Sequence, residues 1–274
     1  MKKRCWILIA LIGSLASCQK EATTYPAPTA SFTLNGDTAS TISLGTYDSY
    51  SLINNSTNTD SCRWDFGNDS TYTANEVWLY YPKSGNYTLT LTVYNASGQK
   101  SVMTKQISVY DRVIKQISIS SLDMNANGYY QSFGYPAFGK VNAWVGIQQA
   151  IPGQTYSVLS DGTFDAPFVY KSPVQQNVDS TNAPITIAVP GKLVLDIPTL
   201  NRANGGLGYG FNLYVVSGGT TYTLNSTYWA QTGYSFKTNA YNNQNTLNSG
   251  GGSFKLQTGG AGFVEVDFLG DYEQ

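Results

Sequence analysis

Side chains able to do chemistry on a ligand are unevenly supplied in this 274-residue chain. Histidine is missing, which removes the commonest general base and the commonest zinc ligand. There are three cysteines, Cys5, Cys18 and Cys62. A thiol becomes a nucleophile when a neighbouring base activates it. With no histidine to do so, Cys62 reads as a small buried hydrophobe. Ten acids fall between Asp111 and Glu273, and two carboxylates about 5–10 Å apart suffice for glycoside hydrolysis. Sequence alone leaves such a pair open. Glu265 and Asp267 read as outward-facing on an alternating strand, and Asp271 and Glu273 as a solvated tail. No nucleophile elbow, phosphate loop or metal-spaced cluster occurs. The chain reads as non-enzymatic, with neither cofactor nor metal expected.

Aromatic side chains carry more signal. In the run Val141–Ile147, Val141, Ala143, Val145 and Ile147 share one strand face, and Trp144 lies opposite with Asn142, Gly146 and Gln148. An indole beside amides and glycine can stack on the apolar C–H face of a sugar while the amides serve its hydroxyls. Tyr228 and Trp229, with Tyr241 beside Asn242 and Asn243, form a second such group. Burial in a core or beneath loops is the competing reading of both tryptophans, because Trp is highly buried on average.

The elements that must position these residues are strands. Charged residues are 12% of the chain, about half the usual share. Polarity comes instead from Ser, Thr, Asn, Gln and 27 Gly, with 21 Tyr, which suits pleated faces and tight turns. No window shows a helical period. The expected fold class is all-β, with two tandem β-sandwich modules. Net charge is −1, and without residues 1–17 the balance is 13 basic to 17 acidic. That excludes nucleic acid as the expected partner.

Residues 1–18, MKKRCWILIALIGSLASC, have a basic start, an apolar run and small residues. They read as a secretory signal, too short for a lasting membrane span. Leu15-Ala16-Ser17-Cys18 resembles the lipobox of bacterial lipoproteins, which implies lipidation of Cys18 and a membrane attachment through that lipid. Gln19-Lys20-Glu21 resembles the export tag of Bacteroidota lipoproteins, which implies the outer membrane and its external face. Residues 19–30 form a Pro/Thr/Ala-containing linker. Cys62 is then left alone, so no intramolecular disulfide is expected.

Over residues 31–110 short alternating runs are broken by turn clusters. Trp64-Asp65-Phe66-Gly67 is followed by Tyr81-Pro82-Lys83-Ser84-Gly85-Asn86-Tyr87-Thr88-Leu89-Thr90-Leu91-Thr92-Val93. These two motifs resemble the PKD family, immunoglobulin-like β-sandwiches that write W-D-F-G-D-G and Y-x-x-x-G-x-Y-x-V-x-L-x-V. The resemblance implies structural roles for Trp64, Asp65, Phe66, Gly67, Gly85 and Tyr87. Trp64 should fill the space between sheets, and Asp65 should brace backbone. Asn68-Asp69 stands where the family has Asp-Gly, and both residue types tolerate left-handed backbone. A calcium loop built on Asp65, Asn68 and Asp69 is the competing reading. The family serves as spacer, adhesion element or accessory domain.

Residues 111–274 read as a second β-sandwich and a candidate binding module, its start marked by Asp111-Arg112. The order of its runs faintly resembles calcium/lipid-binding sandwiches of the synaptotagmin type. Asn201, Arg202 and Asn204 stand where that family places aspartates, so no metal site is implied. Asp37-Thr38-Ala39, Asp69-Ser70-Thr71 and Asp179-Ser180-Thr181 match a short O-glycosylation motif of Bacteroidota. Thr38, Ser70 and Ser180 are the acceptors, with Ser70 expected to be the most exposed. The whole reads as a lipid-anchored surface protein presenting its C-terminal module to a polysaccharide or an outer-membrane protein. A purely structural envelope role and a small glycan hydrolase are the alternatives.

Overall fold

A computed structural model describes residues 24–151, 154–157, 159–160, 163, 165–195, 208–226, 234–238, 252–260 and 263–274. The fold is all-β. The first strands are Phe32–Leu34 (β1), Thr41–Gly45 (β2), Tyr50–Asn54 (β3), Ser61–Asp65 (β4), Thr71–Tyr72 (β5), Glu76–Leu79 (β6) and Gly85–Tyr94 (β7). Lys100–Leu122 (β8) follows, then Val141–Gln149 (β9), Phe168–Lys171 (β10), Gln175–Val178 (β11) and Ile185–Leu195 (β12). The last are Tyr209–Ser217 (β13), Thr220–Ser226 (β14), Tyr234–Thr238 (β15), Ser253–Gly260 (β16) and Val264–Glu273 (β17).

Among the described residues these strands make three sheets. One has the order β1-β3-β6. A second has the order β10-β9-β13-β14, with β11 also on β9. The largest runs β15-β16-β17-β8-β7-β4-β5, with β12 and β2 also on β8. Strand β8 therefore serves both halves of the molecule. Its first half pairs with β7 and, in parallel, with β2; its second half pairs with β17 and β12. At about 3.3 Å per residue its 23 residues span roughly 75 Å. It passes without a break through Tyr110 and Asp111, where the sequence suggests a module boundary.

Two hydrophobic cores lie along this beam. One gathers Phe32, Leu44, Tyr50, Trp64, Leu89, Leu91 and Val109 between the three-stranded sheet and the first half of the large one. The other gathers Ile117, Ile119, Val145, Ile147, Phe211, Leu213 and Phe268 between the second sheet and the other half. Irregularities in the β8–β17 register leave no β17 residue directly opposite Lys115 or Ser120. Each extra residue flips the side-chain phase. That is why buried positions step from Ile114 to Ile117 and from Ile119 to Leu122 instead of alternating strictly.

The chain enters at the start of this beam. Thr29 bridges to Thr57, and Asn95, in the β7–β8 turn, donates to the Pro26 carbonyl at 2.9 Å. The end of the expected linker is thus stitched to the first half of the fold. The second core sits toward the opposite end of β8.

Candidate functional site

Strand β9 alternates as its sequence implies. Val141, Ala143, Val145 and Ile147 enter the second core, and Trp144 projects from the opposite face. In the neighbouring β13, Phe211, Leu213 and Val215 point inward, which leaves Asn212 and Tyr214 beside Gly146 and Trp144. The Trp144 and Tyr214 rings stack, centroids 4.2 Å apart at 15°. On the other side of β9 the register with β10 shifts between Phe168 and Tyr170, so that Phe168 meets Gln148 and Lys171 meets Gly146. The bulge brings Phe168 and Lys171 onto the Trp144 face and sends Tyr170 to the core.

The result is an aromatic platform. Phe168 lies 5.7 Å from Trp144 and 6.0 Å from Tyr214, centroid to centroid. Lys171 places its ammonium 4.3 Å over the Phe168 ring and 5.7 Å from that of Trp144. Gly146 makes the convergence possible. A Cβ there would stand 2.5 Å from Phe168, 2.9 Å from Tyr214 and 3.0 Å from Trp144. Beneath the rings, Asn212 donates to Gln148 Oε1 at 2.7 Å and to the Tyr214 hydroxyl at 3.1 Å. Gln148 in turn donates to the Ala166 carbonyl. Asn212 Oδ1 is buried and receives no hydrogen bond. Tyr214 is buried, Trp144 and Phe168 are half-buried, and Lys171 and Asn142 are exposed. The platform therefore offers apolar ring surface, an amide and a cation at one place.

The paired motifs of the first half build a different kind of structure. Trp64 is fully buried, donates from Nε1 to the Ala74 carbonyl at 2.8 Å and meets the Phe32 ring edge-on at 5.1 Å. Asp65 Oδ1 accepts the Gly67 amide at 2.9 Å. Gly67 has φ +72°, and a Cβ there would stand 2.8 Å from the Thr88 carbonyl oxygen. Phe66 is buried, and its carbonyl accepts the buried Tyr81 hydroxyl at 2.8 Å. Tyr81 stacks on Tyr87 at 4.2 Å, and Tyr87 closes its own turn by donating to the Lys83 carbonyl at 2.9 Å. Gly85 holds φ +146° at the start of β7. Residues 25–109 match the family described as PKD domain. The chain belongs to the PKD family.

Two solved relatives agree. The PKD1 domain of the Vibrio cholerae metalloprotease PrtV is 31% identical; the match covers 31% of this chain and 98% of that one, with a TM-score of 0.25. The PKD1 domain of Vibrio anguillarum Epp is 30% identical over 31% of this chain and 96% of its own, with a TM-score of 0.26. A structure described as a carbohydrate-binding module of the β-sandwich superfamily aligns with 91% of this chain and 98% of its own at 11% identity, with a TM-score of 0.29. Nothing among curated proteins matches.

Around the PKD motif, Cys62 is buried, its thiol 3.4 Å from the Thr73 and Ala74 carbonyls, and burial pushes the thiol pKa up. Asp69 stands at φ +66°, in the left-handed region where the family writes glycine. Two expectations are corrected. Ser70 is half-buried, tied through its amide to Asn68 and through its carbonyl to Phe66, while Thr38 and Ser180 are exposed. Asp267 is buried and not outward in solvent; it is paired with Lys255 at 2.8 Å. It lies on β17 between β16 and β8, so neighbouring side chains cover it from both sides. Cys18, Tyr228, Trp229 and Tyr241 lie outside the described residues, as do Asn201, Arg202 and Asn204.

Three members of the platform escape a reading of the sequence. Tyr214, Phe168 and Lys171 join Trp144 only through pairings that span tens of residues. Asn212-Leu213-Tyr214 does repeat the amide–apolar–aromatic spacing of Asn142-Ala143-Trp144, and that echo is the signal available. On the PKD domain, Trp78 and Tyr80 carry no such sequence signal. They project from β6 and the residue beyond it and are 62% and 54% exposed, with Ile53 on the adjacent strand 43% exposed.

Proposed function

We propose that this is a non-catalytic, lipid-anchored surface protein whose PKD domain and β8 carry a C-terminal glycan-binding sandwich away from the membrane. Lipid attachment at Cys18 and placement on the outer membrane belong to the same reading and rest on the N-terminal motifs. The observation that carries the binding role is the platform: Trp144 held by Tyr214 and Phe168, with its remaining surface open beside Asn142. Rings preset in this way lose little freedom when a sugar stacks on them. The acids support a role without catalysis, because several already have structural partners. Asp111 meets Lys192 and Ser84, Glu273 meets Lys115, and Asp267 meets Lys255.

The test is retention of residues 19–274 on a panel of immobilised polysaccharides, beside Trp144→Ala. The shortened chain keeps every described residue. Retention of the wild type by at least one glycan, with release of a folded Trp144→Ala, supports the reading. Equal retention of both proteins removes Trp144 from it.

A second reading has its own observation. Ile53, Trp78 and Tyr80 are large apolar side chains exposed on one face of the β3–β6 end of the PKD domain, and protein partners cover such side chains where they cluster. Site-specific cross-linking from position 76, exposed on the same face of β6, tests in the intact membrane whether a protein sits there. Trp78→Ser should abolish the adduct and leave glycan retention unchanged.

A further inference from the structure

The lysines from Lys115 to Lys255 whose side chains are described fall into two groups. Lys115, Lys140, Lys192 and Lys255 each face a carboxylate, at 2.8, 4.0, 2.9 and 2.8 Å. Lys171 does not. No ion pair engages it among the described residues, and it is exposed. Its ammonium is instead laid over aromatic rings, 4.3 Å above Phe168 and 5.7 Å from the centre of Trp144. Ring quadrupoles hold a cation in place without neutralising it. The arrangement therefore presents a positioned, uncompensated positive charge beside the half-buried indole of Trp144.

We infer that the platform selects an acidic saccharide: a sugar ring lies on Trp144, and its anionic substituent, a uronate carboxylate or a sulfate ester, meets Lys171. This rests on glycan binding at Trp144. The ammonium lies close enough to the indole for an exocyclic anionic group to reach it from a ring stacked there. A charge-assisted contact of this kind is about twice as strong as a neutral hydrogen bond. The tethering rings reduce the side-chain freedom lost on binding. Asn142, exposed two residues before Trp144 on the same face, supplies amide donors for hydroxyls on the other side. The rest of the molecule sharpens the choice. Without residues 1–17 the chain carries more acids than bases, 17 to 13. Its overall field therefore repels polyanions. Any acidic glycan it retains must be held by a local cation.

The experiment is affinity electrophoresis and calorimetry with residues 19–274, using polygalacturonate, its fully methyl-esterified form, dextran and dextran sulfate. The proteins are wild type, Lys171→Gln, Lys171→Arg and Trp144→Ala. The expected result is binding to polygalacturonate or dextran sulfate about tenfold tighter than to the neutral counterpart. Lys171→Gln should lose that margin, Lys171→Arg should keep most of it, and Trp144→Ala should lose binding to all. Which anionic polymer binds separates carboxylate from sulfate. Equal affinity for charged and neutral polymers, or an unchanged margin in Lys171→Gln, overturns the charge selection and leaves glycan binding standing. Absence of binding to every saccharide, or a folded Trp144→Ala that binds like wild type, overturns both.

Discussion

Arg112 and Asp48 form an ion pair at 2.6 Å across the junction between the two cores. Arg112 sits on β8 just past the PKD domain and is buried; Asp48 belongs to the turn between β2 and β3. The guanidinium also donates to the Thr46 carbonyl at 2.9 Å and to the Tyr272 hydroxyl at 3.2 Å, and it lies over the Tyr272 ring. One side chain thus joins a PKD turn to the last strand of the second sandwich. Removing one partner of a buried pair leaves the other uncompensated. Arg112→Ala should cost about 3 kcal/mol, the low end for such pairs because Asp48 keeps some solvent contact. Urea unfolding followed by tryptophan fluorescence should change from one transition to two. Gly45→Ala should do the same with all charges present, since a Cβ there would meet Asp48 and Arg112. A single unshifted transition in both variants would show that β8 alone couples the halves.

How much of this was legible depends on how local the signal is. Trp64 and Tyr87 were readable because motif and turn lie within a few residues of each other. Arg112 read as a mere boundary, since its partners Asp48 and Tyr272 are 64 and 160 residues away. For the same reason β8 read as two runs: the polar pair Asp111-Arg112 resembles a break until its partners are in view. Alternation correctly set Trp144 apart from Val145. It could not supply Tyr214, 70 residues on, nor show that the face holding Asp267 is covered. Strand periodicity tells which face a residue takes, and sheet order decides what lies on that face.

The left-handed turn after Phe66 should respond in opposite senses at two neighbouring positions. Asp69 holds φ +66°, which an L-residue adopts at a cost that glycine avoids. Asp69→Gly should therefore stabilise the fold by about 0.5–1 kcal/mol. Gly67→Ala should destabilise it by about 1–3 kcal/mol, because the new Cβ would press on the Thr88 backbone. Paired thermal melts decide the matter. Two shifts of the same sign would mean that the turn relaxes freely.

Stability should fall steeply in alkali. Tyr50, Tyr81 and Tyr130 are buried, and burial holds each hydroxyl above the usual pKa of 10.0; Asp48 adds to the effect at Tyr50. Above pH 10 the unfolded chain releases these protons and the folded one keeps them, so unfolding gains as pH rises. The loss should be about 1.4 kcal/mol per tyrosine per pH unit, or roughly 4 kcal/mol by pH 11 for all three. Lys105 acts in the other direction. Burial lowers its pKa from 10.5, so its buried charge is relieved as pH rises through the lowered value. One lysine offsets only part of three tyrosines. Urea midpoints at pH 9, 10 and 11, with tyrosinate absorbance near 295 nm, should show ionisation and unfolding together. Ionisation of all tyrosines in a still-folded protein would refute it.

Gly146→Ala tests whether the platform acts as a unit. The substitution leaves every ring and charge in place and adds one methyl group where Phe168, Tyr214 and Trp144 converge. Something must move, and overpacking of this kind costs about 1–3 kcal/mol. The 4.2 Å stack of Trp144 on Tyr214 should open, weakening its near-ultraviolet circular dichroism. Glycan retention should fall about as far as in Trp144→Ala. Adding Phe168→Leu to Gly146→Ala should recover stability by vacating space, but not retention, because the tilted ring and the seat of Lys171 are then gone. If Gly146→Ala keeps both the dichroism and the retention of the wild type, the three rings act independently and the platform is not a site.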